Sequence, residues 1–121
     1  MQTELVQARE NLRKKLLQNA DVVIKEVLRA NLNDLVEIGL FGSVAKNNFT
    51  CKSDSDIYLL FDNNIPDRQT KGYLRSVAEE NNCDIVFLTK DEFNAYENSL
   101  LAKSILEGRI ILWRKDSDDK K

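Results

Sequence analysis

The chain reads as an α/β (α+β) protein, a mixed sheet of about four strands with helices mainly on one face. Three observations predict it. Apolar runs of strand length stand at 35–41, 57–61, 83–88 and 110–113. Longer stretches with apolar residues at helical spacing alternate with them. Turn residues mark the joints: Asn31-Leu32-Asn33-Asp34, Asn81-Asn82 and Gly108.

The first element is a helix over residues 3 to about 31. Leu5, Leu12 and Leu16 share a face, as do Val23 and Val27, with Ile24 and Leu28 alongside. Asp21 either caps a second segment, or the helix runs on with a bend. In the first strand, 35–41, Val36, Ile38 and Leu40 fall on one face and Glu37 interrupts the other. The strand ends in a Gly42-Ser43 turn. Ser43-Val44-Ala45-Lys46 then opens a short helix, and a polar loop follows over 47–53.

The second strand, 57–61, is apolar on both faces, which places it centrally in the sheet. Pro66 suits the first turn of a helix over 67–81, with Tyr73, Leu74, Val77 and Ala78 as its buried stripe. The third strand, 83–88, carries Asp84 at its start. Thr89 or Asp91 caps the next helical stretch, whose later turns pack through Leu100, Leu101, Ile105 and Leu106 until Gly108 stops it. A last short strand covers 110–113. Residues 114–121 read as a flexible charged tail, which leaves 1–113 as a single domain.

Composition narrows the chemistry. With 42% hydrophobic and 31% charged residues the balance is that of a soluble domain. No apolar run reaches the roughly 20 residues of a membrane helix, and the first residues lack a signal peptide's pattern. A cytoplasmic protein is expected, with Cys51 and Cys83 as free thiols rather than a disulfide. There is no histidine, so imidazole bases and zincin motifs are excluded. A formal net charge of −2 disfavours autonomous nucleic-acid binding.

The chemistry-bearing stretch runs from Phe41-Gly42-Ser43 through a ten-residue spacer to Asp54-Ser55-Asp56. Asp-x-Asp and Gly-Ser are each ordinary on their own. Their combination, with an apolar strand before one and after the other, points to a site. Strand residues alternate sides, so Asp54 and Asp56 at a strand's start point the same way. Neighbouring carboxylates repel, and magnesium is the natural cation to lie between them. The Gly-Ser turn lets backbone approach a phosphate closely, and a helix N-terminus beside it adds free amides. Lys46 could add charge there.

Phe41-Gly42-Ser43, ten residues, then Asp54-x-Asp56 resembles the signature of the DNA polymerase beta nucleotidyltransferase superfamily. More narrowly it is similar to the minimal nucleotidyltransferase (MNT) domains that act as antitoxins beside HEPN toxins. The closing stretch from Leu106 to Trp113 is similar to the close of many such proteins. The resemblance spans roughly residues 20 to 113 and implies a nucleotidyltransferase fold. It further implies two magnesium ions held by Asp54, Asp56 and Asp84 as the catalytic carboxylates, with Gly42 and Ser43 on the β- and γ-phosphates.

The chain departs from the family at Val44, where an arginine is common, and at Asn47, where a glycine is. Ser55-Asp56-Ile57-Tyr58 offers a second register in which Tyr58 replaces the second acid. The register through Asp54 and Asp56 keeps both acids and the spacer.

The expected reaction transfers NMP, AMP from ATP or the unit of another nucleoside triphosphate, to an acceptor. The resemblance implies a tyrosine of a HEPN toxin as that acceptor. A small-molecule (aminoglycoside-type) enzyme and an inactive binding module are the alternatives. The acids are expected at one edge of the sheet, in an open cleft that a partner or a second subunit would complete.

Overall fold

The structure is a computed structural model and describes residues 2–42, 55–95, 103, 105, 106 and 108–115. Helix α1 (Gln2–Arg29) leads into β1 (Leu35–Phe41). Then come β2 (Ser55–Phe61), α2 (Arg68–Glu80), β3 (Cys83–Thr89), α3 (Lys90–Ala95) and β4 (Ile110–Arg114). The strands form one mixed sheet in the order β3-β2-β1-β4. Strands β1 and β2 are antiparallel, as are β1 and β4, whereas β2 and β3 are parallel and joined by α2. The predicted fold class holds, with β2 flanked on both sides.

Strand alternation divides the side chains between two faces. Leu35, Ile38 and Leu40 of β1, Ile57, Leu59 and Phe61 of β2, and Cys83, Ile85 and Phe87 of β3 pack against α1 and α2. Ala20, Val23, Ile24 and Val27 meet them from α1, and Leu74 and Ala78 from α2. Each fully buried aliphatic or aromatic side chain here contributes about 1.5–3 kcal/mol. The opposite face carries a smaller cluster, Phe41, Tyr58, Leu60 and Ile105, with Phe93 of α3 at its margin.

Several expectations need correction. A register shift between Leu35 and Glu37 sends Val36 to the smaller cluster, away from Ile38 and Leu40. Helix α1 runs unbroken past Asp21, and its Leu28 is exposed. Tyr73 lies outside the buried stripe of α2, 55% exposed, its hydroxyl donating to Glu26 Oε1 at 3.1 Å. Helix α2 starts two residues beyond Pro66, with Asp67 as its cap: Oδ1 accepts from the Thr70 amide at 2.8 Å.

Thr89, not Asp91, caps α3, as Thr89 Oγ1 accepts from the Glu92 amide while Glu92 Oε1 accepts from the Thr89 amide. Ile105 is buried as expected, but Leu106 is 48% exposed. Arg114 closes β4 rather than opening a tail. The Leu5 side chain, Leu100, Leu101 and Cys51 lie outside the described residues, while Cys83 is buried with its thiol donating to the Asn81 carbonyl. Among the described residues no helix is long and apolar enough to cross a membrane.

Candidate functional site

Ser55 sets the start of β2. It is fully buried, and its hydroxyl donates to the Leu16 carbonyl of α1 at 3.0 Å, while its amide donates to the Asn82 carbonyl. Ser55 and Ile57 therefore turn toward the helices, and Asp56 between them turns to the opposite face. On β3 the same alternation buries Cys83 and Ile85 and leaves Asp84 exposed. Asp56 and Asp84 stand directly in register across the parallel pair. Neighbouring strands lie about 4.8 Å apart, so the two carboxylates share one short stretch of one face.

Gly42 completes this corner from the other side. Phe41 pairs with Asp56, and Gly42 follows with φ +78°, a conformation that side chains resist. A Cβ at Gly42 would collide with Asp56 Oδ2 and lie 3.2 Å from its Cγ. Only a glycine lets the turn after β1 come this close to the Asp56 carboxylate. Of the residues singled out from sequence, the structure thus brings together Gly42, Asp56 and Asp84. Ser43, Lys46 and Asp54 lie outside the described residues.

The donors present fit a hard divalent cation. Magnesium takes one or two carboxylates from a protein and the rest of its shell from water and substrate phosphates. Asp56 and Asp84 supply such a pair. Among the described residues no group of three or more His, Cys, Asp or Glu side chains forms a fuller cage.

One network escaped the sequence reading. Glu37 is buried on the same face, and four hydrogen bonds reach its carboxylate. Tyr58 donates its hydroxyl to Oε2 at 2.6 Å, and Arg109 Nη1 donates to the same oxygen at 3.2 Å. Arg114 donates to Oε1 through Nε and Nη2 at 3.1 and 2.9 Å. The Tyr58 ring lies over Gly39, where a Cβ would be 2.5 Å from both Cε1 and the hydroxyl oxygen. Burial first, and then the hydrogen bond and charge of Glu37, raise the Tyr58 pKa, with Arg109 acting the other way. Tyr58 is a packed core residue. The available signal was a carboxylate inside an apolar strand, which needs partners when buried.

Residues 22–118 match the polymerase beta nucleotidyltransferase family. No curated relative matches the chain. Among solved structures, a candidate nucleotidyltransferase from Sulfolobus solfataricus superposes with a TM-score of 0.58 at 19% identity, covering 90% of this chain and 89% of its own. A toxin-antitoxin complex solved with AMP-PNP has a chain similar at 24% identity and TM-score 0.55, over 81% of this chain and 76% of that one. A complex of the tri-AMPylated HEPN toxin of Shewanella oneidensis with its MNT antitoxin gives 24% identity and TM-score 0.52, over 87% and 77%. With a family match over most of its length, a four-stranded mixed sheet of the corresponding fold, and two carboxylates in register beside a glycine turn, this chain belongs to the polymerase beta nucleotidyltransferase family.

Proposed function

We propose that the chain transfers AMP from ATP to a hydroxyl on a HEPN-type partner protein and acts as its antitoxin. The observation that carries the reading is the register of Asp56 with Asp84 on one face beside Gly42. That face has carboxylates for a metal–triphosphate and no histidine to serve as base. The similar complexes support the partner class, one of them with an AMPylated toxin and another with an ATP analogue.

In this reading Asp54, Asp56 and Asp84 would hold two magnesium ions, and Gly42, Ser43 and Lys46 would bind the β- and γ-phosphates. Bound magnesium neutralises the triphosphate and lowers the pKa of the acceptor hydroxyl. Asp84, exposed at the start of β3, would lie on the acceptor side and favour loss of the hydroxyl proton to water. The acceptor oxygen forms a bond to the α-phosphorus, the bond from that phosphorus to the β-bridging oxygen breaks, and pyrophosphate leaves. Full burial of Tyr58 against Glu37 favours the register in which Asp54 and Asp56 are the paired acids.

The test is thermal unfolding with each ribonucleoside triphosphate, with and without magnesium, for wild type, Asp56→Asn and Asp84→Asn, followed by AMP transfer to a purified HEPN partner. ATP at about 100 times its dissociation constant adds about 2.7 kcal/mol of stability to the wild type in magnesium alone. Both variants lose that gain and the transfer while keeping their fold. Neutralisation of the partner by the Asp56→Asn variant without any transfer would overturn the enzymatic reading in favour of a binding module.

A further inference from the structure

Strand β4 closes the sheet on one side, and among the described strands none pairs with its outer edge. On such a strand alternate backbone N–H and C=O groups point away from the sheet, open to another strand. Ile110 and Trp113 turn inward and pack against the main core. Ile111 and Leu112 do not, and are 39% and 44% exposed. A register shift accounts for the pair. Ile38 faces Trp113 and Gly39 faces Ile111, so Leu112 is an extra residue without a counterpart on β1.

Charge sets this edge apart. Every charged residue in 108–115 is basic: Arg109, Arg114 and Lys115. Arg109 and Arg114 share the carboxylate of Glu37, so two positive charges meet one negative charge there. Lys115 adds an exposed cation that is still tied to the sheet, its amide donating to the Val36 carbonyl at 2.9 Å. The whole chain carries a formal charge of −2, so the positive surplus belongs to this edge.

We propose that β4 takes up an extended segment of another protein as an added strand, with apolar side chains against Ile111 and Leu112 and acidic ones against Arg114 and Lys115. Main-chain hydrogen bonds give such strand addition its affinity, and the side chains give it selectivity. A second copy of β4 fits poorly. Antiparallel pairing about its centre would bring Arg109 of one copy toward Arg114 and Lys115 of the other, and like charges across strands repel. The bulge at Leu112 also twists the edge away from pairing with its own kind. The inference needs neither nucleotide nor metal, so it stands apart from the transfer reading.

The experiment follows the fluorescence anisotropy of short labelled peptides with the full chain. The wild type binds a peptide of alternating valine and glutamate, added salt weakens that binding, and a valine–lysine peptide does not bind. Leu112→Glu and Lys115→Glu each weaken it by about tenfold or more, because an acid then faces an acid. Val22→Glu, on an exposed position of α1, leaves it unchanged. All three substitutions fall on exposed residues, and the unfolding midpoints stay at the wild-type value. No binding of the glutamate peptide, equal binding of both peptides, or wild-type affinity in Leu112→Glu overturns the inference. A wild-type dimer in sedimentation velocity that Leu112→Glu dissociates would assign the edge to a second copy instead. Displacement by a peptide of residues 116–121, which carry Asp116, Asp118 and Asp119, would assign it to the chain's own end. Either result also overturns it.

Discussion

At the scale of single residues, the Glu37 carboxylate holds three partners at once. Glu37→Ala leaves Arg109 and Arg114 without their acceptor and removes the acceptor of the Tyr58 hydroxyl. The buried Tyr58 hydroxyl then lacks its acceptor at a cost of about 1–3 kcal/mol, measurable by urea unfolding, while Arg114, with 59% of its side chain exposed, turns to solvent. Tyr58→Phe removes one donor to a charged acceptor and costs about 1.5–3 kcal/mol.

The same pair sets an alkaline limit. The unfolded tyrosine has a pKa of about 10, and the folded one is higher. Below pH 10 both states keep the proton and the stabilisation is complete. Above it the unfolded chain deprotonates first, and stability falls until the folded pKa is passed. Stability plotted against pH thus declines above about pH 10 in the wild type, and Tyr58→Phe lacks that part of the decline. Gly42→Ala strains a left-handed backbone by about 1–2 kcal/mol and displaces the Asp56 carboxylate. It weakens magnesium-dependent ATP binding more than it lowers the unfolding midpoint. Gly39→Ala drives a methyl into the Tyr58 ring and costs about 1–3 kcal/mol with binding unchanged.

At the scale of elements, local chemistry decided what sequence could reveal. Strand β1 is bounded by Asp34 and Gly42, and its limits of 35 and 41 were readable because both neighbours take positive φ. Cys83 opened β3 as expected, after Asn82 in the same conformation. Asp56 and Asp84 were legible as acids at the starts of apolar strands, a place where a carboxylate needs a reason. Their mutual register was not, since it depends on a parallel pairing built through α2. The Val36 assignment failed because a strand irregularity reverses alternation without a mark in the sequence. Tyr73 failed because its helical position could serve either the core or the Glu26 hydrogen bond. The Glu37 network stayed hidden because Arg109 and Arg114 are 72 and 77 residues away. The Asp67 cap carries its own prediction. Its hydrogen bond from the Thr70 amide lowers the Asp67 pKa, so the cap stabilises α2 above the unfolded value of about 4 and that contribution fades as pH falls below it. Asp67→Ala lowers the melting temperature at pH 7, and Asp67→Asn keeps the hydrogen bond but loses the acid sensitivity.

At the scale of the molecule, the sheet separates two jobs. One face is closed by α1 and α2 and supplies most of the apolar burial. The other brings Asp56 and Asp84 to one end and the Glu37 network to its middle, with Phe41 and Tyr58 packed between. In the proposed reading the acceptor is carried by another protein and comes to the end of the sheet that holds Asp56 and Asp84. Adding a HEPN partner to the ATP-loaded chain raises the unfolding midpoint beyond ATP alone, and differential scanning fluorimetry reads it. The clamp between β1 and β4 also bears on how the chain is made. Its carboxylate is synthesised early, and its arginines emerge some seventy residues later. Until then closing β1 onto β2 would bury an unpaired charge. The sheet is therefore expected to stay open on the ribosome until Arg114 has emerged, and to fold in one late step rather than strand by strand. Protease resistance of stalled nascent chains would rise abruptly once that residue clears the exit tunnel.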